Sequence, residues 1–379
     1  MSDIGNYRAI ALSSPLSKIL ESVLLQYVVS CDPIDACQFG FKQGHSTSMC
    51  TNVLKSTIDY YTSRGSHVFA CFIDFTKAFD KVNYWKLFNY LLEDGVTKNV
   101  VSLLAFWYSC QDVAVKWSNV ISASFKMSNG TRQGSLLSPF LFSRYIRNLL
   151  RVVHNTRIGC NLGGVFYNIL AYADDIVLLA PSWEALQYLI NVLQSESLSI
   201  DMLVNAVKTC CMVFNPKDRR KVVADAFKQF SLNDNSLKFV TSFKYLGHLL
   251  CSDLSDDSDV KREIRNLFVR ANILCRRFWR CSRKVKVTLY RAFCLCFYGC
   301  ALWRKCSVAV LSSFRSCFNR CMKLCLGYRK YDRVTGMLLE SGLPSCNTIL
   351  HNYRVSFLNN WKSCDNCLVH NLVTLGLSI

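Results

Sequence analysis

The sequence contains few proline and glycine residues, which are frequent in disordered chains, and a low fraction of charged residues. Of its 379 residues only 6 are proline and 16 are glycine, and charged residues make up 19% against 51% that are hydrophobic. This composition excludes a disordered or low-complexity chain and indicates a folded protein with a sizeable core. Uncharged apolar runs stay below the roughly 18 residues of a membrane span, and the N-terminus lacks a secretory pattern. We therefore expect an intracellular protein without a membrane partner, either nuclear or cytoplasmic.

Acidic residues are scarce in one part of the chain only. The whole chain has a net charge of +19, and residues 261–333 carry 19 Lys and Arg against two acids, Glu263 and Asp332. Such a block predicts a polyanionic partner, either nucleic acid or an anionic membrane surface. The alternative is a solvated helical face.

Cysteine is abundant, with 21 residues. The number is odd and the spacing irregular, unlike a small secreted disulfide scaffold, so we expect mostly reduced thiols in the core. Cys317, Cys321 and Cys325 recur every four residues and therefore share one helical face. Cys364 and Cys367 form a single C-x2-C pair, with Cys346 and His370 as further candidates. A zinc site normally needs a second close pair, so core packing remains the alternative.

Between residues 67 and 250 the hydrophobic pattern alternates between strands and helices. Residues 67–75 form an apolar run typical of a buried strand, and residues 168–180 are typical of a hairpin with acids at its tip. A helix is predicted over residues 183–199, and helices alone follow Ser255. Interleaved strands and helices predict an α+β fold with an antiparallel or mixed sheet backed by helices.

Three acids fall at the ends of these predicted strands. Asp74 ends the first strand, while Asp174 and Asp175 occupy the hairpin tip. Carboxylates among apolar neighbours are costly unless neutralised, and Mg²⁺ prefers such oxygen ligands. Paired Mg²⁺ ions are the recurring device of phosphoryl transfer. Because adjacent strand residues face opposite sides, we expect Asp74 and Asp174 to be direct ligands and Asp175 a lesser one. The alternative is a set of capped turns.

The segments FIDFTKAFDKV, GTRQGSLLSPFLF and AYADD occur in this order, and with them the chain resembles reverse transcriptases of non-LTR (LINE-type) retrotransposons. NYRAIALSSPLSKILESVL and QFGFKQGHSTS resemble finger motifs of that class, and KTCCMVF and FKYLG resemble its later palm and primer-grip motifs. The resemblance covers residues 4–250, and weakly the chain to about 345. It implies a right-hand polymerase with partial fingers (1–66), a ferredoxin-like palm with the primer-grip region (67–252), and a basic helical thumb with the C-terminal region (253–379).

The resemblance assigns roles to single residues. It implies metal binding by the three acids and a steric gate at Phe79 that excludes a ribose 2′-OH. The residues implied to contact template or nucleotide are Arg132, Gln133, Gly134, Arg8 and Lys42. Those implied to place the primer end are Tyr245, Leu246 and Gly247. Each also has a plain structural reading, as a core residue, a surface charge or a tight turn.

The implied reaction is the addition of deoxynucleotides to a primer 3′-OH on an RNA template, with two Mg²⁺ ions that Mn²⁺ can replace. RNA template, DNA primer and deoxynucleoside triphosphates are the implied partners, and the oligomeric state stays open. One alternative is a catalytically inactive nucleic-acid-binding relic. Another is an RNA-dependent RNA polymerase, which Phe79 argues against.

Several positions depart from the family pattern. Ala9 replaces a usual Pro, Lys42 replaces a commoner Arg, and Arg147 and Asn148 replace a usually acidic pair. The endonuclease that usually precedes this domain is absent from the sequence, so we expect a fragment of a longer reading frame, and the truncated copy could be inactive.

Overall fold

A computed structural model describes residues 7, 9–29, 36–223 and 226–377. Strands and helices alternate up to Cys251 and helices follow, so the fold is α+β, as predicted. The helices are α1 (Pro15–Val29), α2 (Thr47–Ser63), α3 (Tyr84–Glu93), α4 (Lys98–Ser109), α5 (Ser138–Asn155), α6 (Trp183–Ser199), α7 (Asp257–Arg277), α8 (Arg283–Cys294), α9 (Val308–Leu326), α10 (Val334–Ser341), α11 (Cys346–Lys362) and α12 (Cys367–Thr374).

The strands are short, and several contain only two residues. They are β1 (Val68–Ile73), β2 (Asp112–Val113), β3 (Lys116–Trp117), β4 (Val120–Ile121), β5 (Phe125–Lys126), β6 (Asn161–Leu162), β7 (Val165–Phe166), β8 (Ile169–Tyr172), β9 (Asp175–Ala180), β10 (Cys210–Phe214), β11 (Ser231–Leu232), β12 (Asn235–Ser236), β13 (Lys238–Phe239), β14 (Ser242–Tyr245) and β15 (His248–Cys251). Among the described helices, none is long and apolar enough to cross a bilayer.

The chain forms two compact units, each assembled from separate segments. Unit 1 consists of Met1–His45, Val68–Cys211 and Val223–Phe239. Unit 2 consists of Ser46–His67, Met212–Val222 and Val240–Ile379. The division into fingers, palm and thumb at residues 66 and 252 stays a prediction.

The core of unit 1 contains a mixed sheet in the order β13-β10-β1-β9-β8, in which β10 belongs to unit 1 over its first two residues, Cys210 and Cys211. β9 pairs antiparallel with both β1 and β8, whereas β10 pairs parallel with β13. All six residues of β1 are buried, as expected for a continuous apolar run in a central strand. Helices α5 and α6 pack against β8, β9 and β1. The sheet is therefore mixed and helix-backed, as the sequence predicts.

Unit 2 contains a helical core that cysteine side chains help to fill. Cys317, Cys321 and Cys325 of α9 are buried in this core together with Leu267 and Ala271 of α7. Every cysteine in the described ranges is a free thiol. The predicted core positions of these three residues are thus confirmed, and their sulfur atoms act as small apolar groups.

A buried ionic network links α2, β15 and α7 within unit 2. Lys55 pairs with Asp256 and donates a 3.0 Å hydrogen bond to the Leu302 carbonyl. His248 lies between two carboxylates, with its Nε2 3.3 Å from an oxygen of Asp256 and its Nδ1 3.1 Å from an oxygen of Asp259. Because these charges are buried, removing one partner would leave another without compensation.

The contacts within this network shift the pKa values of His248, Asp256 and Asp259. Burial acts to lower the pKa of His248, but the carboxylates of Asp256 and Asp259 outweigh it and raise the pKa above the ordinary value. The two Asp pKa values are lowered in return, because the contacts with His248 and with neighbouring cations overcome the opposing effect of burial. Protonated His248 is thus stabilised by folding.

This shift predicts how stability depends on pH. A histidine with a raised pKa in the folded state contributes fully below the unfolded pKa of about 6.5 and loses that contribution as pH rises through the folded value. The urea midpoint should therefore fall from pH 6 to pH 8 in the wild type and change less in His248→Gln. His351→Gln, which changes an exposed histidine, is the control. An identical pH dependence in wild type and His248→Gln would contradict the assignment.

Candidate active site

Three acids share one edge of the five-stranded sheet. β1 ends at Ile73, which pairs with Ile176 of β9. Continuing this register by one residue sets Asp74 opposite Asp175, with backbones about 5 Å apart. Asp174 lies in the turn between β8 and β9. Asp74 and Asp174 are half-buried and Asp175 is exposed. The fold therefore brings the three predicted acids to the same edge.

The backbone of Asp74 is held from both sides. Its N–H donates to Oγ1 of Thr209 at 3.2 Å, and its carbonyl accepts from the N–H of Asn205 at 2.7 Å. The next step along the chain is also fixed, because the N–H of Thr76 donates to the Leu203 carbonyl at 2.9 Å. The segment before β10 thus fixes the backbone position of Asp74, from which its carboxylate extends.

The donor set fits a divalent cation. Carboxylate oxygens are hard ligands, and one or two of them, completed by phosphate oxygens, are typical of Mg²⁺ sites. Within the described ranges, the oxygens of Asp74, Asp174 and Asp175 do not all lie within 4.8 Å of one another. The acids form an open ligand set on an accessible edge.

Phe79, the predicted sugar gate, is fixed by another aromatic ring. It lies in a 3-10 helix, Ala78–Lys81, and is half-buried. Its ring stacks on the buried Phe142 of α5, with centroids 4.2 Å apart and an interplanar angle of 18°. Phe41 meets it edge-on at 6.5 Å. The carbonyl of Phe79 also accepts a 2.8 Å bond from Thr131. These contacts leave the ring few alternative positions.

The loop before α5 contains the predicted nucleotide contacts Arg132, Gln133 and Gly134. The guanidinium of Arg132 lies 4.9 Å from the ring centroid of Trp107. The carbonyl of Gln133 accepts a 2.8 Å bond from the N–H of Ala11. Gly134 has φ +110°, and a Cβ there would lie 3.0 Å from the Ala11 carbonyl, so only glycine fits comfortably. The structure thus places this loop beside the segment that contains Ala11.

Of the two cations predicted in the fingers, Lys42 lies within the described residues and Arg8 does not. Lys42 is half-buried and follows Phe41 in the segment that meets Phe79. Arg8 lies outside the described residues. Their contacts with a triphosphate remain predictions.

Arg147, one of the departures from the family pattern, has an acidic partner inside unit 1. Arg147 and Arg144 are both buried on α5, and both pair with Asp94, which follows α3. The bond from Arg144 to Asp94 is 2.7 Å long. The cation at position 147 therefore pairs with an acid from another element, and it shares that acid with Arg144.

The predicted primer-grip residues form a tight hairpin turn in unit 2. Leu246 and Gly247, with φ of +45° and +82°, connect β14 and β15. The hydroxyl of Tyr298 donates to the Leu246 carbonyl at 2.9 Å. A Cβ at Gly247 would lie 2.6 Å from the Tyr298 ring, so glycine allows this contact. Tyr245 is buried, with its hydroxyl 3.3 Å from Sγ of Cys50. Tyr298 was not predicted from the sequence and holds the turn.

The basic segment presents its charge to solvent. Trp279 is 63% exposed, and the guanidinium of Arg280 lies 4.7 Å from its ring. The exposed cations of this segment are Lys261, Arg265, Arg276, Arg277, Arg280, Arg283, Lys284, Arg291, Lys305, Arg315, Arg320, Arg329, Lys330 and Arg333. Their number and exposure make the segment a strongly cationic surface.

The candidate zinc ligands are not gathered into a site. Cys346 is buried in the helical core, whereas Cys367 and His370 are exposed. In the described part of the chain, these residues and Cys364 do not converge as a set of three or more ligands. The grouping of these four residues is therefore not formed within the described ranges.

Comparison with known proteins identifies relatives of this arrangement. The family model described as "Reverse transcriptase (RNA-dependent DNA polymerase)" matches residues 2–250. The Pol polyprotein of the type-2 retrotransposable element R2DM from Drosophila melanogaster is 30% identical over 250 residues, covering 64% of this chain and 23% of its own length. The RNA-directed DNA polymerase from mobile element jockey of Drosophila funebris is 22% identical, covering 98% of this chain and 41% of its own length. The chain thus spans less than half the length of these relatives.

Solved structures of telomerases are also similar. Apo telomerase from Candida tropicalis superimposes with a TM-score of 0.47 and 11% identity, over 94% of this chain and 61% of the telomerase. Telomerase from Candida albicans, solved with a fragment of telomeric RNA, gives a TM-score of 0.46 and 14% identity, over 96% and 57% respectively.

Proposed function

The chain belongs to the reverse transcriptase (RNA-dependent DNA polymerase) family, and we propose that it is an RNA-directed DNA polymerase of a non-LTR retrotransposon. The match over residues 2–250 confirms the resemblance that the sequence motifs carry. The observation on which the proposal rests is the position of Asp74, Asp174 and Asp175 at one edge of the mixed sheet. This is the open oxygen ligand set that phosphoryl transfer requires.

In this proposal, Asp74 and Asp174 hold two divalent cations, Mg²⁺ or Mn²⁺, and Asp175 lies beside them. When bound, the ions acidify the primer 3′-OH and neutralise the charge of the triphosphate and the leaving pyrophosphate. The chain contributes the position of the carboxylates. Thr209 and Asn205 fix the backbone of Asp74, so the Cα from which its side chain extends is already positioned when the substrate arrives.

Sugar selection depends on Phe79 in this proposal. An aromatic ring that cannot move aside would clash with a ribose 2′-OH, and the stack on Phe142 supplies that rigidity. Deoxynucleoside triphosphates are therefore the substrates. This selection separates the proposal from an RNA polymerase, which must accommodate the 2′-OH.

Template and primer are proposed to contact the cationic surface of residues 261–333. Phosphates are uniformly spaced along a nucleic acid, and exposed Lys and Arg bind them without regard to sequence. An exposed aromatic ring such as Trp279 can in addition stack on a base.

The activity is tested by primer extension on poly(rA)–oligo(dT) with dTTP and Mg²⁺. We expect the wild type to extend the primer and Asp174→Asn to lose extension, because the substitution removes a charged ligand but keeps the shape. Asp234→Asn is the matched control, since Asp234 also occupies a two-residue hairpin turn, between β11 and β12. A wild type that binds the duplex in a salt-dependent manner without extending the primer would identify an inactive relic instead.

The sugar gate gives a second prediction. Phe79→Ala should reduce discrimination between dTTP and UTP by roughly 10–200-fold in kcat/KM, the range for lost steric contacts in a pocket. Phe142→Leu should produce part of this effect, because it removes the stack and leaves Phe79 in place. Phe318→Leu, which changes a buried ring of unit 2, serves as the control. Unchanged discrimination in Phe79→Ala would refute the gate.

The cationic surface gives a third prediction. The logarithm of the affinity for an RNA–DNA duplex should fall linearly with the logarithm of the salt concentration. Replacing Arg276 and Arg280 together by Gln should reduce this slope by about two, roughly one for each lost phosphate contact. The control pair Lys98→Gln and Arg151→Gln makes the same change of net charge at exposed positions of unit 1. Equal slopes for both pairs would argue against a local binding surface.

A further inference from the structure

A buried glutamine outside the acidic motifs lies next to the acid turn of unit 1. Gln38 is only 2% exposed. Its segment runs parallel to the edge strand β8: the N–H of Phe39 donates to the Ala171 carbonyl, and the N–H of Ala171 donates to the Cys37 carbonyl, both at 2.8 Å. These two bonds fix the Gln38 backbone beside Ala171. Ala173, which begins the turn, follows two residues later.

The Gln38 side chain bonds to both backbone groups of Ala173. Its Oε1 accepts from the Ala173 N–H at 3.0 Å, and its Nε2 donates to the Ala173 carbonyl at 3.5 Å. Oε1 also accepts from the N–H of Gly40 at 2.8 Å. Because two N–H groups point at the same atom, that atom must be the amide oxygen, and the side-chain orientation is determined.

Ala173 adopts a conformation that alanine disfavours. Its φ is +57°, in the left-handed region that only glycine enters without cost. Such a residue persists when its surroundings over-determine it. Here the amide of Gln38 supplies two of those restraints. The residue that follows directly is Asp174, so the direction in which the chain leaves Ala173 sets the position of both turn acids.

The close approach of the two segments depends on Gly40. A Cβ at position 40 would lie 2.5 Å from the Ala173 nitrogen and 3.1 Å from Oε1 of Gln38. Any side chain there would separate the two segments. Gly40 therefore allows the contact, and Gln38 makes it.

We propose that Gln38 is a positioning residue for the metal-binding turn. Its amide is bonded to the backbone of Ala173 and Gly40, so its role is exerted through the turn. It holds Ala173 in its left-handed conformation and thereby aims the carboxylates of Asp174 and Asp175. The inference rests on the proposed function, because only a metal-binding role makes the exact direction of these acids matter. Displacements of about 1 Å at such groups reduce rates by about 10²-fold.

The test replaces Gln38 by Met, which keeps the length of the side chain and removes its hydrogen bonds. Mn²⁺ binding to the full chain is measured by electron paramagnetic resonance, and kcat and KM by primer extension. We expect the Mn²⁺ dissociation constant to rise about 10–100-fold, the range for loss of a group that orients a ligand. We expect kcat to fall while KM for the primer stays unchanged.

A second substitution separates positioning from loss of folding. Ala173→Gly removes the conformational cost that Gln38 offsets, so the double variant Gln38→Met/Ala173→Gly should recover part of the Mn²⁺ affinity. Simple destabilisation would instead lower the urea midpoint of Gln38→Met and leave the Mn²⁺ affinity of the folded protein unchanged. The amide proton of Ala173 should also exchange with solvent faster in Gln38→Met than in the wild type.

Gln187→Met is the matched control. Gln187 makes the same kind of contact with another hairpin strand, accepting from Ser231 N–H at 2.9 Å and donating to its carbonyl at 3.0 Å. It should leave Mn²⁺ binding unchanged. An unchanged Mn²⁺ dissociation constant in Gln38→Met, or an equal rise in both variants, would overturn the inference. If the wild type extends no primer, the proposed function fails, but weaker Mn²⁺ binding in Gln38→Met alone would still support the positioning role.

Discussion

The pairing register between β1 and β9 is the constraint on which the candidate site depends. Ile73 pairs with Ile176, and this single choice sets Asp74 opposite Asp175. A slip of one residue would exchange the two faces of the strand and turn its acid away from its partner. Burial of all six β1 residues makes such a slip costly, because the side chains on both faces are close-packed and would no longer fit their neighbours. The hydrophobic core of unit 1 thus fixes the position of polar groups at its edge.

The sequence predicted the parts of the site that depend on local pattern. The apolar run before Asp74, the hairpin around Asp174 and the helix over residues 183–199 each follow from periodicity and turn chemistry, and each lies where it was expected. The position of the three acids at one edge could be predicted because the hydrophobic pattern shows where each strand ends. The motif order also indicated the family, since several short segments in sequence are far more specific than one.

What the sequence could not predict are contacts between distant segments. Gln38 meets Ala173 across 135 residues, and Lys55 meets Asp256 across 201. Neither residue stands out in a periodic pattern, because a buried polar residue is recognised only through its partner. The same limit applies to the units. Helix α2 belongs to unit 2 together with Val240–Ile379, although it lies between two segments of unit 1 in the chain.

Several buried charged residues of both units have partners of opposite charge. An unpaired charge in a core is strongly destabilising, and removal of one partner of a buried pair costs about 3–5 kcal/mol. Substitutions that accumulate without selection for folding would leave some buried charges without a partner. Instead, the unusual Arg147 meets Asp94, and Lys55 meets Asp256. Gln38 likewise has partners for both ends of its amide. In unit 1, the buried Arg147 thus has an acidic partner, and the amide of Gln38 is bonded at both ends to the turn that carries Asp174.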